Sequence, residues 1–257
     1  MIAHGMKADH VSIPPDKTIM LEYLLGIGAT SNVYKVLIEG KENAMKMCNS
    51  NRNVHFIEHE KAILEELRGL PNIPTIVSSD THSITFPVYT PCGETLSKKN
   101  MLALLGLLRK VHEKNICHRD LKPENMLLDS SQNVVLIDWG YAVKSSEITE
   151  CAGTAFFCAE QYAKSYIAFN DDYYHPKYDC ESLLKCFYYM KDLSLRCELI
   201  QRGTQYNSYE RFKISIDVWR EVKDEDFKNC LKEIRTGDMY NALEKYINEI
   251  SEDEMEY

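Results

Sequence analysis

One consecutive run, His118-Arg119-Asp120-Leu121-Lys122-Pro123-Glu124-Asn125, holds an acid, a lysine and an asparagine around a proline. A short loop with this spacing can aim Asp120, Lys122 and Asn125 at a single point. The run reads as a catalytic loop for phosphoryl transfer. A polar surface turn around Pro123 is the bland alternative, and it leaves the joint match of several constrained positions without a cause.

Elements on both sides must position such a loop. Upstream, Met101, Leu104, Leu105, Leu108, Val111 and His112 recur at helical spacing, as in a core helix. Downstream, Met126-Leu127-Leu128 and Val134-Val135-Leu136-Ile137 flank the polar turn Ser130-Ser131-Gln132-Asn133 and predict a β-hairpin. The loop lies before that hairpin and Asp138 after it. Nearer the N-terminus, Tyr23-Leu24-Leu25, residues 32–38 and residues 43–48 read as three strands, with a turn at Glu39-Gly40-Lys41. A helix fits 54–67, with Phe56, Ile63, Leu64 and Leu67 on one stripe and Pro71 ending it. Strand-like pieces at 75–77 and 83–88 complete a β-rich region, and helical patterns dominate from Tyr178 onward. The expected architecture is α+β and bilobal: a small antiparallel β-rich N-lobe, a hinge near 88–93 and a mainly helical C-lobe.

Three further groups could serve the same chemistry. Gly26-Ile27-Gly28-Ala29-Thr30-Ser31 lies between two strands, where glycines allow a tight turn and close approach of backbone N–H groups to phosphate. A strand follows it rather than a helix, which excludes a dinucleotide-binding turn. The period of two puts Ala44 and Lys46 on one face of their strand, from which the lysine can reach phosphates. Glu60 falls on the apolar stripe of its helix, where a carboxylate needs a cationic partner, and Lys46 is the natural candidate. Asp138-Trp139-Gly140 closes the hairpin strand with a hard-oxygen donor.

Together these motifs resemble the protein kinase family over residues 20 to 190. The resemblance implies a compact serine/threonine-type kinase domain over 20–257, with an N-lobe at 20–90, a C-lobe at 91–250, an acidic tail at 251–257 and an irregular lead-in at 1–19. It implies that Asp120 takes the proton of the substrate hydroxyl, Lys122 steadies the transferring group, and Asn125 and Asp138 hold magnesium, with manganese as a substitute. Lys46, paired with Glu60, would contact the phosphates of ATP. Gly26, Ile27, Gly28, Val33, Ala44 and Leu127 would line the nucleotide site, with Glu94 at the ribose and Phe86 or Pro87 at its back. In Gly153-Thr154-Ala155-Phe156-Phe157-Cys158-Ala159-Glu160-Gln161, Thr154 would sit near Asp120 and Lys122 and point to a serine or threonine acceptor. Asp179 resembles the buried acid that holds the catalytic loop.

The chain also departs from the family pattern. Ser31 stands for the third glycine and Trp139 for phenylalanine. Ala159-Glu160-Gln161 replaces Ala-Pro-Glu, which removes an acid expected to pair with an arginine in the helical lobe. Only Ser97 to Asn100 separate Leu96 from the helix beginning near Met101, so the D helix is missing or reduced to a turn. Arg119 beside Asp120 suggests that a phosphate on Ser145, Ser146 or Thr149 orders the activation segment.

Composition limits the partners. The 257 residues carry 30 basic against 39 acidic side chains, a net charge of -9 that argues against nucleic acid and anionic membrane. The run from Met101 to Leu108 is too short to span a bilayer. Nine scattered cysteines without a Cys-x-x-Cys pair read as free thiols and place the chain in the cytoplasm, with the nucleus open. The implied partners are ATP, a protein substrate with a serine or threonine acceptor, and a regulatory partner completing the shortened lobe. Two other function classes stay open: a pseudokinase acting by binding, and a small-molecule phosphotransferase on a similar fold.

Overall fold

The computed structural model describes residues 19–93, 95–145, 147–149, 152–170, 172–203 and 207–250. They fall into two compact units, 19–57 with 76–88 and 58–75 with 89–250. Glu94, Ser146, the lead-in at 1–18 and the acidic tail at 251–257 lie outside the described residues.

Alternating side chains build the sheet of the first unit from β1 (Ile19–Ile27), β2 (Ser31–Ile38) and β3 (Lys41–Cys48). The two-residue turn between β2 and β3 places Glu39 (φ 53°) and Gly40 (φ 75°) in the left-handed region, as a type I′ hairpin requires. Val36, Ile38 and Met45 pack together beneath the sheet. Helix α1 (Val54–Glu66) follows and spans the boundary between the units. Its inward stripe is Ile57, Glu60, Ile63, Leu64 and Leu67, while Phe56 is only half-buried. It ends at Glu66, one residue short of the expected 54–67, and Gly69 at φ 89° turns the chain before Pro71. Next come β4 (Ser78–Ser79) and β5 (Ser83–Pro87), giving the antiparallel order β1-β2-β3-β5-β4. The strand expected at 75–77 forms later because the Asp80 turn sets the register. Its carboxylate accepts the His82 and Ser83 amides at 2.7 and 2.8 Å.

In the second unit, β6 (Thr90–Pro91) precedes α2 (Lys98–Glu113), which Ser97 caps through the Asn100 amide. Among the described residues, none between Pro91 and Lys98 is helical. The loop-bearing strands follow: β7 (Ile116–Cys117), β8 (Met126–Leu128), β9 (Val134–Leu136) and β10 (Val143–Lys144). The β8–β9 hairpin pairs as expected, with β6 alongside β8. Beyond it lie β11 (Ile148–Thr149), α3 (Glu160–Ile167) and β12 (Asp172–Tyr173). The unit ends in α4 (Pro176–Lys191), α5 (Leu193–Gly203), α6 (Ser208–Glu221), α7 (Glu225–Thr236) and α8 (Met239–Glu249). Helix α4 is buried on nearly every side, and α2, α5, α7 and α8 pack on it. A helix enclosed in this way is an inner pillar, so polar groups on it must find partners inside the protein.

Candidate active site

The pillar supplies those partners to the catalytic loop. Asp179, fully buried in the first turn of α4, accepts the amides of His118 at 2.7 Å and Arg119 at 3.0 Å. His112 Nε2, at 3.1 Å, and the Tyr174 hydroxyl, donating at 3.1 Å, complete its shell. Burial pushes the Asp179 carboxyl up, but the bonds and charges around it outweigh burial and hold it below the ordinary carboxylate value. These bonds hold Arg119 at φ 70°, a left-handed backbone uncommon for a side chain of this size. His118 braces the loop from the other side: Nε2 donates to the Ile137 carbonyl at 3.0 Å, and Nδ1 accepts the Asp120 amide at 3.2 Å.

At the centre, Asp120 is buried with both carboxylate oxygens engaged. The Thr154 hydroxyl donates to Oδ1 at 2.7 Å, and Lys122 Nζ donates to Oδ2 at 2.8 Å. Lys122 also reaches Thr154 Oγ1 at 3.1 Å, closing a triangle of three side chains. Burial pulls the Lys122 ammonium down, yet the charge and bond of Asp120 and the charge of Asp138 prevail and raise it. Asn125 Nδ2 donates to the Asp120 carbonyl at 2.8 Å and to Oδ2 at 3.2 Å. With its N–H groups used in this way, the side-chain carbonyl oxygen is what Asn125 offers a cation.

Asp138 closes β9 at φ 66°, and the Ile137 amide bonds to the Asn125 carbonyl at 2.9 Å. The next residue fixes this turn. Trp139 is fully buried, donates Nε1–H to the Leu136 carbonyl at 2.8 Å and stands edge-on to His118. Its amide donates to Glu60 Oε1 at 3.1 Å, so the 2%-exposed Glu60 carboxylate helps anchor the Asp138 turn. Asn125 and Asp138 together form a hard-oxygen donor set that suits magnesium.

The segment bearing Thr154 is held at several points. Gly153, at φ 101°, lies so close to the catalytic loop that a Cβ there would meet the Arg119 carbonyl oxygen at 2.4 Å. The Phe156 carbonyl accepts Trp219 Nε1–H at 2.5 Å and the Ser215 hydroxyl at 3.3 Å, and the Cys158 carbonyl accepts Lys185 Nζ at 2.5 Å.

The anchoring acid expected to be lost is replaced by two. Glu160 pairs with Arg220, with Lys164 at 2.8 Å and with Arg235 at 3.2 Å. Buried Glu181 on α4 accepts Arg235 at 2.8 and 2.9 Å, Lys185 at 3.1 Å and the Glu160 amide at 2.8 Å. Burial pushes the Glu160 carboxyl up, but the Lys164 and Arg220 hydrogen bonds bring it down to about 2.

The first unit carries the remaining candidates. Val33 on β2 lies opposite Lys46 on β3, and Ala44 lies opposite Phe86 on β5. Lys46 is buried, whereas Ile27 at the tip of the glycine loop is 78% exposed. The loop closes with the Gly28 amide on the Ser31 carbonyl at 2.8 Å, an approach that leaves a Cβ on Gly28 only 3.0 Å from that oxygen. Asn49 shapes it further. Its amide donates to Thr30 O at 3.1 Å, and Nδ2 donates to Ala29 O at 3.0 Å and Gly28 O at 3.4 Å. Leu127, in the second unit, is half-buried on β8.

Sequence reasoning passed over Asn49, Tyr162, Glu181, Lys185, Trp219 and Arg235. The Glu181–Lys185 pair at i,i+4 was the one such signal on the surface of the sequence.

The family profile described as "Protein kinase domain" matches residues 88–190. The chain is 28% identical over 167 residues to a "Probable cAMP-dependent protein kinase catalytic subunit" of Encephalitozoon cuniculi (strain GB-M1), covering 55% of this chain and 52% of that protein. It is 31% identical over 170 residues to "Calcium-dependent protein kinase 5" of Plasmodium berghei (strain Anka), covering 56% of this chain and 30% of that one. The matches thus span about half the length of these relatives or less. Among solved structures, "Structure of vaccinia related kinase 3" superposes with a TM-score of 0.64 at 14% identity, covering 96% of this chain and 91% of the other.

Proposed function

Because the chain belongs to the protein kinase family, we propose that it transfers the γ-phosphate of ATP to a serine or threonine hydroxyl of a protein. The observation that carries this reading is the closed triangle of Asp120, Lys122 and Thr154, with Asn125 bonded to the same aspartate. A scaffold without chemistry has no need to point a buried carboxylate, an ammonium and an amide at one another. The acceptor hydroxyl binds at Asp120, which orients it and receives its proton. The acceptor oxygen bonds to the γ-phosphorus as the bond to the β–γ bridging oxygen breaks, and ADP leaves. Lys122 neutralises charge on the transferring group, and Lys46 serves the α- and β-phosphates. Magnesium, held by Asn125 and Asp138, supplies charge neutralisation on the triphosphate when bound.

Gly26, Ile27, Gly28, Val33, Ala44 and Leu127 complete the proposed nucleotide contacts, and Glu60 holds Lys46 in place while its carboxylate also braces the Trp139 turn. The described cysteines are all free thiols, which supports a reducing compartment, cytoplasm or nucleus. No described helix is long and apolar enough to cross a membrane.

The test is transfer of γ-phosphate from Mg-ATP to the protein itself and to a generic basic substrate, beside Asp120→Asn and Asp138→Asn. Incorporation by the wild type alone is expected. Equal background in all three proteins, with ATP still bound, would overturn the reading, and transfer to small molecules only would replace the substrate class.

A further inference from the structure

Arginine beside the catalytic aspartate is a natural seat for a phosphate on the activation segment. In this fold both terminal nitrogens of the guanidinium are already engaged. The Arg119 side chain is 7% exposed, donates Nη2–H to the Tyr162 hydroxyl at 2.7 Å and Nη1–H to the Tyr141 carbonyl at 3.4 Å, and lies over the rings of Tyr162 and Tyr174. The same Tyr162 oxygen accepts the Ala152 amide at 3.0 Å. One phenol oxygen therefore joins catalytic loop and activation segment just before Gly153 meets the Arg119 carbonyl and Thr154 meets Asp120.

The tyrosine is itself fixed. It stands edge-on to Tyr174 at 4.8 Å between ring centroids, and Tyr174 donates to the Asp179 that holds the Arg119 amide. Arg119 is gripped through its backbone by one member of this cluster and through its guanidinium by another. The far side of the segment is gripped by Lys185, Ser215 and Trp219. Of the segment hydroxyls available to a kinase, Ser145 lies beside the β10 strand with its amide on the Asn115 carbonyl at 2.8 Å.

We propose that Tyr162 is a positioning residue that latches the activation segment onto Arg119, so that transfer at Asp120 requires no phosphate on the segment. This rests on the kinase reading above and assigns its regulation: the site is assembled by the fold rather than by a prior modification.

The experiment uses the full chain coexpressed with a phosphatase and shown by intact mass to carry no phosphate. Its kcat should stay within about twofold of that of the phosphorylated protein and of the Ser145→Ala/Ser146→Ala/Thr149→Ala variant. A gain of more than about tenfold on phosphorylation overturns the proposal. Tyr162→Phe keeps the ring and removes the oxygen. It should lower kcat with little change in KM for ATP, and combining it with Arg119→Lys should cost little beyond the larger single effect, because the two residues act as one unit. Fully additive losses overturn it. Amide exchange at Ala152 separates this proposal from the kinase reading. If no form transfers phosphate, that reading fails, while faster exchange at Ala152 in Tyr162→Phe still supports the latch and unchanged exchange overturns it.

Discussion

The run at 118–125 and the glycine loop at 26–31 both carry motif chemistry, yet the structure treats them in opposite ways. Around Asp120 the loop is buried, and its backbone is fixed by a carboxylate from α4 and by its own histidine. Around Gly28 the loop is exposed, with Asn49 as its main brace and nothing within 4 Å of a Cβ added to Gly26. Where the proposed function has a proton received, geometry is fixed in advance; where it has a polyphosphate admitted and released, the protein supplies backbone and little packing. On the proposed function, preorganisation is concentrated on the acceptor side, which would have to discriminate between states of a single hydroxyl.

Substitutions can break or sharpen this contrast. The largest effect belongs to Asp120→Asn, expected to lower kcat by about 10²–10⁴-fold without unfolding, as checked by steady-state assay and circular dichroism. Next comes Asp179→Ala, which leaves buried donors unpaired and should cost about 3 kcal/mol in urea unfolding together with most of the activity.

Its pH signature follows from a folded carboxyl held below the ordinary value. The stabilisation is fully present above about pH 4 and is lost as pH falls through the lower folded value, so Asp179→Asn should flatten the acid limb of stability. An acid limb identical to wild type would remove Asp179 from its assigned place. Arg235→Ala leaves buried Glu181 with Lys185 and the Glu160 amide as its partners and should cost about 2 kcal/mol, read as a lower Tm with a smaller loss of kcat than at Asp179.

On the nucleotide side the effects should shrink. Asn49→Ala is expected to raise KM for ATP by about threefold with kcat nearly unchanged, since it loosens a binding loop rather than a reacting group. Gly26→Ala meets nothing in the protein itself, so it should raise KM for ATP by about twofold at the phosphates and leave kcat nearly unchanged. A large kcat defect at Gly26 would show that the loop is as constrained as the catalytic run, and the contrast would fall.

The strand hairpins and the α2 core stripe were legible because their periods are local properties of the chain. The charged positions could be singled out because each sits in a fixed neighbourhood of the sequence. A boundary failed where a single turn residue decided it, as Asp80 did for β4. The support of the activation segment was out of reach for a different reason. Lys185 meets Cys158 across 27 positions and Trp219 meets Phe156 across 63, and no periodicity encodes such encounters. The same distance hides the Arg119–Tyr162 bond: nothing near Arg119 in sequence announces Tyr162, 43 positions on. The missing family glutamate looked like a lost anchor because the substitution was visible, whereas Glu181 and Arg235 restored it from 54 positions apart.

The dependence of the catalytic loop on Asp179 also has a temporal side. A ribosome making this chain releases the run 118–125 long before α4 exists, since Asp179 follows His118 by 61 positions. Until that helix emerges and folds, the amides of His118 and Arg119 lack their carboxylate and the left-handed turn at Arg119 has no support. The nascent chain therefore carries the motif without its geometry until the pillar that becomes the core of the second unit is complete.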